Sequence, residues 1–190
     1  MKIFVILVVL FITHTSIYSQ VSDSLKNKRF FNITKLSYID VKNATLDQKG
    51  ISPININTND AICYSLQTIS GYFLNPHLSV GIGIGLDGYH KPDFNTMPLF
   101  LDIRGYFVDN RNSAFAFLDI GTLLDAGPLY RKGTMAEIGI GYKFFASSNI
   151  AMIASINGSF KGLSLTNEGY KTSDRTVVLR GIGVSVGFIF

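Results

Sequence analysis

The stretch that most constrains this chain is its last one, Val177 to Phe190. In an extended strand successive side chains point to opposite faces. Gly181, Gly183, Ser185 and Gly187 then share one face, and Ile182, Val184, Val186, Phe188 and Phe190 share the other. One face is broad and apolar, and its reverse has almost no side-chain volume. Glycine weakens a strand interior unless something must approach it closely, so a glycine-lined face is hard to explain as a surface in water. Hydrocarbon outside and a crowded lumen inside account for both faces. The stretch ends with Phe188 and Phe190 on its apolar face.

The pattern recurs. Turn residues divide the chain into eight extended segments, roughly Asn32 to Lys42, Ala61 to Leu74, His77 to Tyr89, Pro98 to Val108, Ala114 to Asp125, Thr134 to Phe145, Ile150 to Leu163 and Thr176 to Phe190. Each is near or above the roughly 9 to 11 residues with which a tilted strand crosses a bilayer. Val80, Ile82, Ile84 and Leu86 oppose Ser79, Gly81, Gly83, Gly85 and Asp87. Ala136, Ile138, Ile140, Tyr142 and Phe144 oppose Glu137, Gly139, Gly141 and Lys143. Connections alternate in length: Asn75-Pro76, Asp109 to Ser113 and Ala146 to Asn149 are tight, whereas Asn43 to Asp60, His90 to Met97, Ala126 to Gly133 and Ser164 to Arg175 are longer. The expected fold is all-β, an eight-stranded antiparallel up-and-down transmembrane β-barrel, with both chain ends on the short-turn rim. In the first segment Lys35 and Asp40 fall on opposite faces, so that segment does not declare its orientation.

Lys2 followed by the apolar run Ile3 to Ile12 and small or polar residues through Ser19 has the layout of a secretory signal peptide. The run is too short for a membrane helix, which needs about 20 residues. Residues 1–19 are expected to be that signal and 20–190 the barrel, an exported protein of the bacterial outer membrane. Cys63 is alone, so no internal disulfide forms. A net charge of +4 comes from dispersed residues without a basic stripe, which argues against nucleic acid as a partner.

The stretches SLQTISGYFLNPHLSVGIGIGLDGYH, MPLFLDIRGYF and GIGYKFF, with the Phe-terminated last strand, resemble the small outer-membrane β-barrel proteins of Bacteroidetes-type bacteria. These belong to the broad superfamily of eight-stranded porin-like and adhesin-like barrels. The resemblance covers Ser65 to Phe190 best. It implies a fold, a place and, in Phe188 and Phe190, the C-terminal assembly signal of such barrels, and no catalytic residue is carried over. The partners it implies are outer-membrane lipid and lipopolysaccharide, the barrel-assembly machinery, and an envelope or extracellular protein meeting the outer loops, above all Asn43 to Asp60 and Ser164 to Arg175.

Alternation assigns Asp87, Asp102, Arg104, Asp119, Glu137, Lys143, Asn157 and Lys161 to the lumen. Charges in so narrow a space must be paired to offset their desolvation, so they are expected to form a polar plug, with Asp102 and Arg104 as one pair. The sharper reading is a gated path for protons or small ions. His77 and Ser79 are spaced as a base and a hydroxyl nucleophile, and barrel enzymes acting on envelope lipid resemble this in type, but the pair sits at the short-turn rim. His90, Lys91 and Asp93 lack the further ligands of a metal site. Tyr72, Tyr106, Phe107, Tyr142, Phe144 and Phe145 are expected to form an aromatic girdle. Asp23-Ser24-Leu25 matches a short O-glycosylation acceptor motif. The expectation is a non-catalytic barrel without cofactor or metal. Its alternatives are a barrel enzyme on envelope lipid and a soluble lipocalin-like ligand-binding barrel.

Overall fold

The computed structural model describes residues 27–48, 50–91, 93–109, 112–127, 129–145, 150–165 and 175–190. They form ten strands: β1 (Arg29–Gln48), β2 (Ile51–Ile56), β3 (Ile62–Asn75), β4 (Leu78–His90), β5 (Phe94–Thr96), β6 (Pro98–Tyr106), β7 (Ser113–Leu123), β8 (Gly133–Phe145), β9 (Ala151–Leu165) and β10 (Arg175–Ile189). Eight of these close in the order β1-β3-β4-β6-β7-β8-β9-β10, all antiparallel, with β10 returning to β1 from Ile33 opposite Ile189 to Gln48 opposite Arg175. Closure leaves no barrel strand with an unpaired edge. The short β2 and β5 lie against β1 and β4 beyond the barrel wall. The expected eight-stranded barrel is therefore found. The signal peptide, Asp23-Ser24-Leu25, the Ala146 to Asn149 turn and residues 166–174 of the last long connection lie outside the described residues.

The faces are inverted relative to a soluble barrel. Leu66, Ile82, Leu101, Ile120, Ile138, Ile156, Ile182 and Val184 are exposed around the exterior, while the interior holds nearly all the buried charge. A continuous apolar belt of this kind suits contact with hydrocarbon. At the short-turn rim the exterior carries Phe30 against Tyr72 (ring centroids 4.9 Å apart), Tyr142 beside Phe144 (6.4 Å) and exposed Phe107.

Tyr106 is a correction to the girdle. It is buried, packing on Phe73 and Phe115 inside the barrel, because it shares the inward parity of Asp102 and Arg104 on β6. The side chain of Phe145 lies outside the described residues.

The first connection also differs from expectation. A bulge between Val41 and Asn43 lets β1 continue along β10 to Gln48, and β2 folds back on it, pairing Ala44 with Ile56 and Leu46 with Ile54. Much of Asn43 to Asp60 is thus a projecting hairpin. The bulge adds one unpaired residue and restores pairing beyond it, a shift that simple alternation cannot show.

Candidate functional site

The lumen is where chemistry-bearing side chains converge. Asp87, Asp102, Arg104, Asp119, Glu137, Lys143, Asn157 and Lys161 are all buried there. Lys35 joins them; its counterpart Asp40 is half-buried on the exterior and pairs with Lys42. The opposed faces of Lys35 and Asp40 thus have a simple origin, one lumenal residue deep in the barrel and one exterior residue near the rim. Ile33, Lys35, Ser37 and Ile39 alternate as buried residues along the inner face of β1.

Two clusters form. In the first, Lys35 Nζ donates to Asp119 Oδ2 (3.1 Å) and Glu137 Oε2 (3.3 Å). Arg104 Nε donates to both oxygens of Asp102 (3.0 and 2.9 Å), whose residue faces Asp119 directly across β6 and β7. Asn157 donates to Glu137 (3.3 Å), and Ser185 links Asn157 (3.3 Å) to Ser37 (2.8 Å). In the second, Lys161 Nζ and the Thr96 hydroxyl both donate to Asp87 Oδ2, at 2.8 and 2.6 Å. Lys143 approaches the Asn27 side chain, which also donates to the Pro76 carbonyl (2.7 Å) and so lies over the short-turn mouth. Among the described residues the buried charges are Lys35, Arg104, Lys143 and Lys161 against Asp87, Asp102, Asp119 and Glu137. Their formal signs balance, four against four.

The interior is less polar than the sequence reading implied. Phe31, Phe73, Phe100, Phe115 and Phe117 point inward with the charges. Lys35 Nζ lies 4.9 Å from the Phe117 ring centre, and the Arg104 guanidinium 5.3 Å and 5.2 Å from those of Phe115 and Phe117, contacts that offset part of the cost of burying a cation. Four of these rings face a glycine on the neighbouring strand: Phe31 opposite Gly71, Phe100 opposite Gly83, Phe115 opposite Gly141 and Phe117 opposite Gly139. A methyl group at any of the four glycines would overlap the facing ring. The inward glycines are the sockets of inward phenylalanines.

The other candidates do not assemble. His77 is exposed in the turn with Nδ1 3.0 Å from the Tyr106 carbonyl oxygen, whereas Ser79 is buried on β4. His90 meets Asp93 (3.5 Å) and Lys91 meets Asp60 (3.1 Å), all exposed, and no group of three metal-binding side chains occurs among the described residues. Cys63 is buried on the lumenal face.

No protein-family model matches this sequence, and neither does any curated protein. Among solved structures the chain is similar to the outer membrane protein OprG from Pseudomonas aeruginosa, at 10% identity and a TM-score of 0.50 over 86% of this chain and 95% of that one. It is also similar to Neisserial surface protein A (13%, 0.47, 83% and 96%) and to the N-terminal β-barrel domain of OprF from Pseudomonas aeruginosa (17%, 0.46, 86% and 98%). At these identities the OprG likeness is one of fold, and fold does not carry function.

Proposed function

We propose that the protein is a non-catalytic integral barrel of the bacterial outer membrane, exported by residues 1–19 and acting through its long-connection rim, with its lumen serving as a structural plug. The plug carries the reading. Eight strands enclose a space only wide enough for side chains, and here four buried cations, four buried carboxylates and five inward phenylalanines occupy it. The apolar belt supports membrane residence, and the OprG-like fold is consistent with it.

Function then falls to the surface that a rigid scaffold presents. The β1–β2 hairpin stands beyond the wall with Ile51, Ile54 and Ile56 exposed, a contact surface for an envelope or extracellular protein. The Asn95–Tyr130 bridge joins the second and third long connections.

Conductance tests the plug. Purified protein in planar bilayers should show no stable channel, and deleting residues 49–57 should not open one. Reproducible conductance that disappears when Lys35, Asp119 and Glu137 are replaced would refute the plug and support transport.

A further inference from the structure

We propose that the β7–β10 flank of the barrel holds one phosphorylated lipid of the lipid A type, with an acyl chain in an exterior groove and phosphate on Arg180 and Lys132. This inference rests on the membrane reading above. Two independent observations meet at this place.

The first is a groove of about 300 Å³ in the exterior wall, lined by Ala116, Ile138, Ile140, Ile156, Gly158 and Ile182. Its floor is low because Ala116 and Gly158 carry little or no side chain between isoleucines. A Cβ added at Gly158 would find its nearest neighbour 4.0 Å away, so the glycine is not demanded by packing within the protein. It leaves an apolar furrow where neighbouring strands present branched side chains.

The second is the pairing of charges at the long-connection rim. Among the described residues of the β1–β4 side, the exposed cations at this rim meet carboxylates: Lys42 with Asp40, Lys91 with Asp60, and His90 with Asp93. On the β8–β10 side Arg131, Lys132, Arg175 and Arg180 are exposed, and none has a carboxylate partner among the described residues. Asp47, opposite Thr176, is the acidic neighbour.

The two features are in register. Gly158 lies opposite Ile138 and Ile182 in the groove; two residues along β9, Phe160 lies opposite Ala136 and Arg180. The Arg180 guanidinium sits 5.7 Å from the Phe160 ring centre, so it is held against the wall directly above the groove. Lys132 has the outward parity of Thr134 and Ala136. Its carbonyl accepts from the Ser164 N–H (3.0 Å), and Ser164 faces Thr176. Thr134, Ser164 and Thr176 share the outward parity of this patch and flank Gly162, which lies midway between the two cations. They lie roughly 10 Å apart across two strand spacings and roughly 13 Å apart along the strands, a span that suits a headgroup larger than one phosphate. Cations at a hydrocarbon boundary reach outward to polar headgroups, and the chain below such a headgroup would enter the groove.

The test is lipid retention by the full chain folded in detergent micelles, read by native mass spectrometry after incubation with lipid A. Wild type should retain one lipid A. Arg180→Ala with Lys132→Ala should weaken retention roughly thirtyfold. Gly158→Leu should weaken it with the rim charges intact, and Lys42→Ala with Lys91→Ala should not. Equal retention by the Arg180/Lys132 variant, or equal retention of dephosphorylated lipid A or phosphatidylethanolamine by wild type, would overturn the inference. A wild-type barrel that inserts into liposomes and keeps its heat-dependent gel mobility but holds no lipid A refutes this inference alone. Failure to insert refutes the membrane reading and this inference with it.

Discussion

Lys35 Nζ lies 3.1 Å from Asp119 Oδ2 although their strands, β1 and β7, are four positions apart in either direction round the barrel. The pair is a crossbar spanning the lumen. Lys161 on β9 and Asp87 on β4, also four positions apart, form a second crossbar along another diameter. No hairpin of neighbouring strands can bring either pair together, so both reward closure of the whole barrel.

Lys35→Met should therefore destabilise the closed barrel strongly. Asp119 and Glu137 would stay buried without their cation, at a cost of about 3–5 kcal/mol. Replacing all three, as Lys35→Met, Asp119→Leu and Glu137→Gln, should cost less than the single change, because neither carboxylate of Lys35 is then left buried without its cation. Urea unfolding in liposomes, followed by heat-dependent gel mobility, reads both. A triple variant weaker than Lys35→Met would show that the cluster stabilises beyond its own desolvation.

The glycine sockets are testable by a double-mutant cycle. Gly83→Ala drives a methyl into the Phe100 ring and should cost about 1–3 kcal/mol. Phe100→Ala should cost about 3–5 kcal/mol by leaving a cavity. The double variant should cost clearly less than the sum, since each change removes the reason for the other. Additive costs would mean that the ring and the glycine are not fitted to each other.

The strand count and the strand faces were legible in the residues because a lipid-facing barrel separates apolar and small side chains with period 2 along nearly every strand. Ile182, Val184 and Val186 against Gly181, Gly183 and Ser185 is enough to orient β10. Three things were not legible. Lys35 belongs to the lumen through a partner 84 residues away, and a single strand does not reveal what lies across a barrel. The bulge at Val41 and Asn43 changes parity without a Gly or Pro to mark it. The parity of Asp102 and Asp119 turns Phe100, Phe115 and Phe117 inward, but that each of these, and Phe31, is seated against a glycine of the next strand is set by register. Tyr106 failed for a plainer reason: the parity of Asp102 and Arg104 already required it to point inward.

Cys63 offers a direct probe of the folded state. It is fully buried among lumenal residues, so a maleimide should label it slowly or not at all in the native barrel and completely after boiling in detergent. Fast labelling of native protein would place the outer part of β3 in contact with solvent and contradict the packed lumen.

The seam between the first and last strands makes the strongest claim on assembly. Phe190 N–H donates to the Asn32 carbonyl (2.9 Å), and Asn32 N–H donates to the Phe190 carbonyl (3.1 Å), so the final residue completes the β1–β10 closure. Its ring points outward beside Phe188, with centroids 6.5 Å apart, at the short-turn edge of the apolar belt. Deleting Phe190 removes two seam hydrogen bonds and the ring, whereas Phe190→Asp keeps the backbone pair and places a charge at the hydrocarbon boundary. Both should lower the amount of heat-modifiable protein in the outer membrane, and Phe190→Tyr should preserve it because a tyrosine suits the interface. Loss on deletion with full recovery in Phe190→Asp would assign the requirement to the seam hydrogen bonds. Wild-type amounts in both variants would show that closure needs neither.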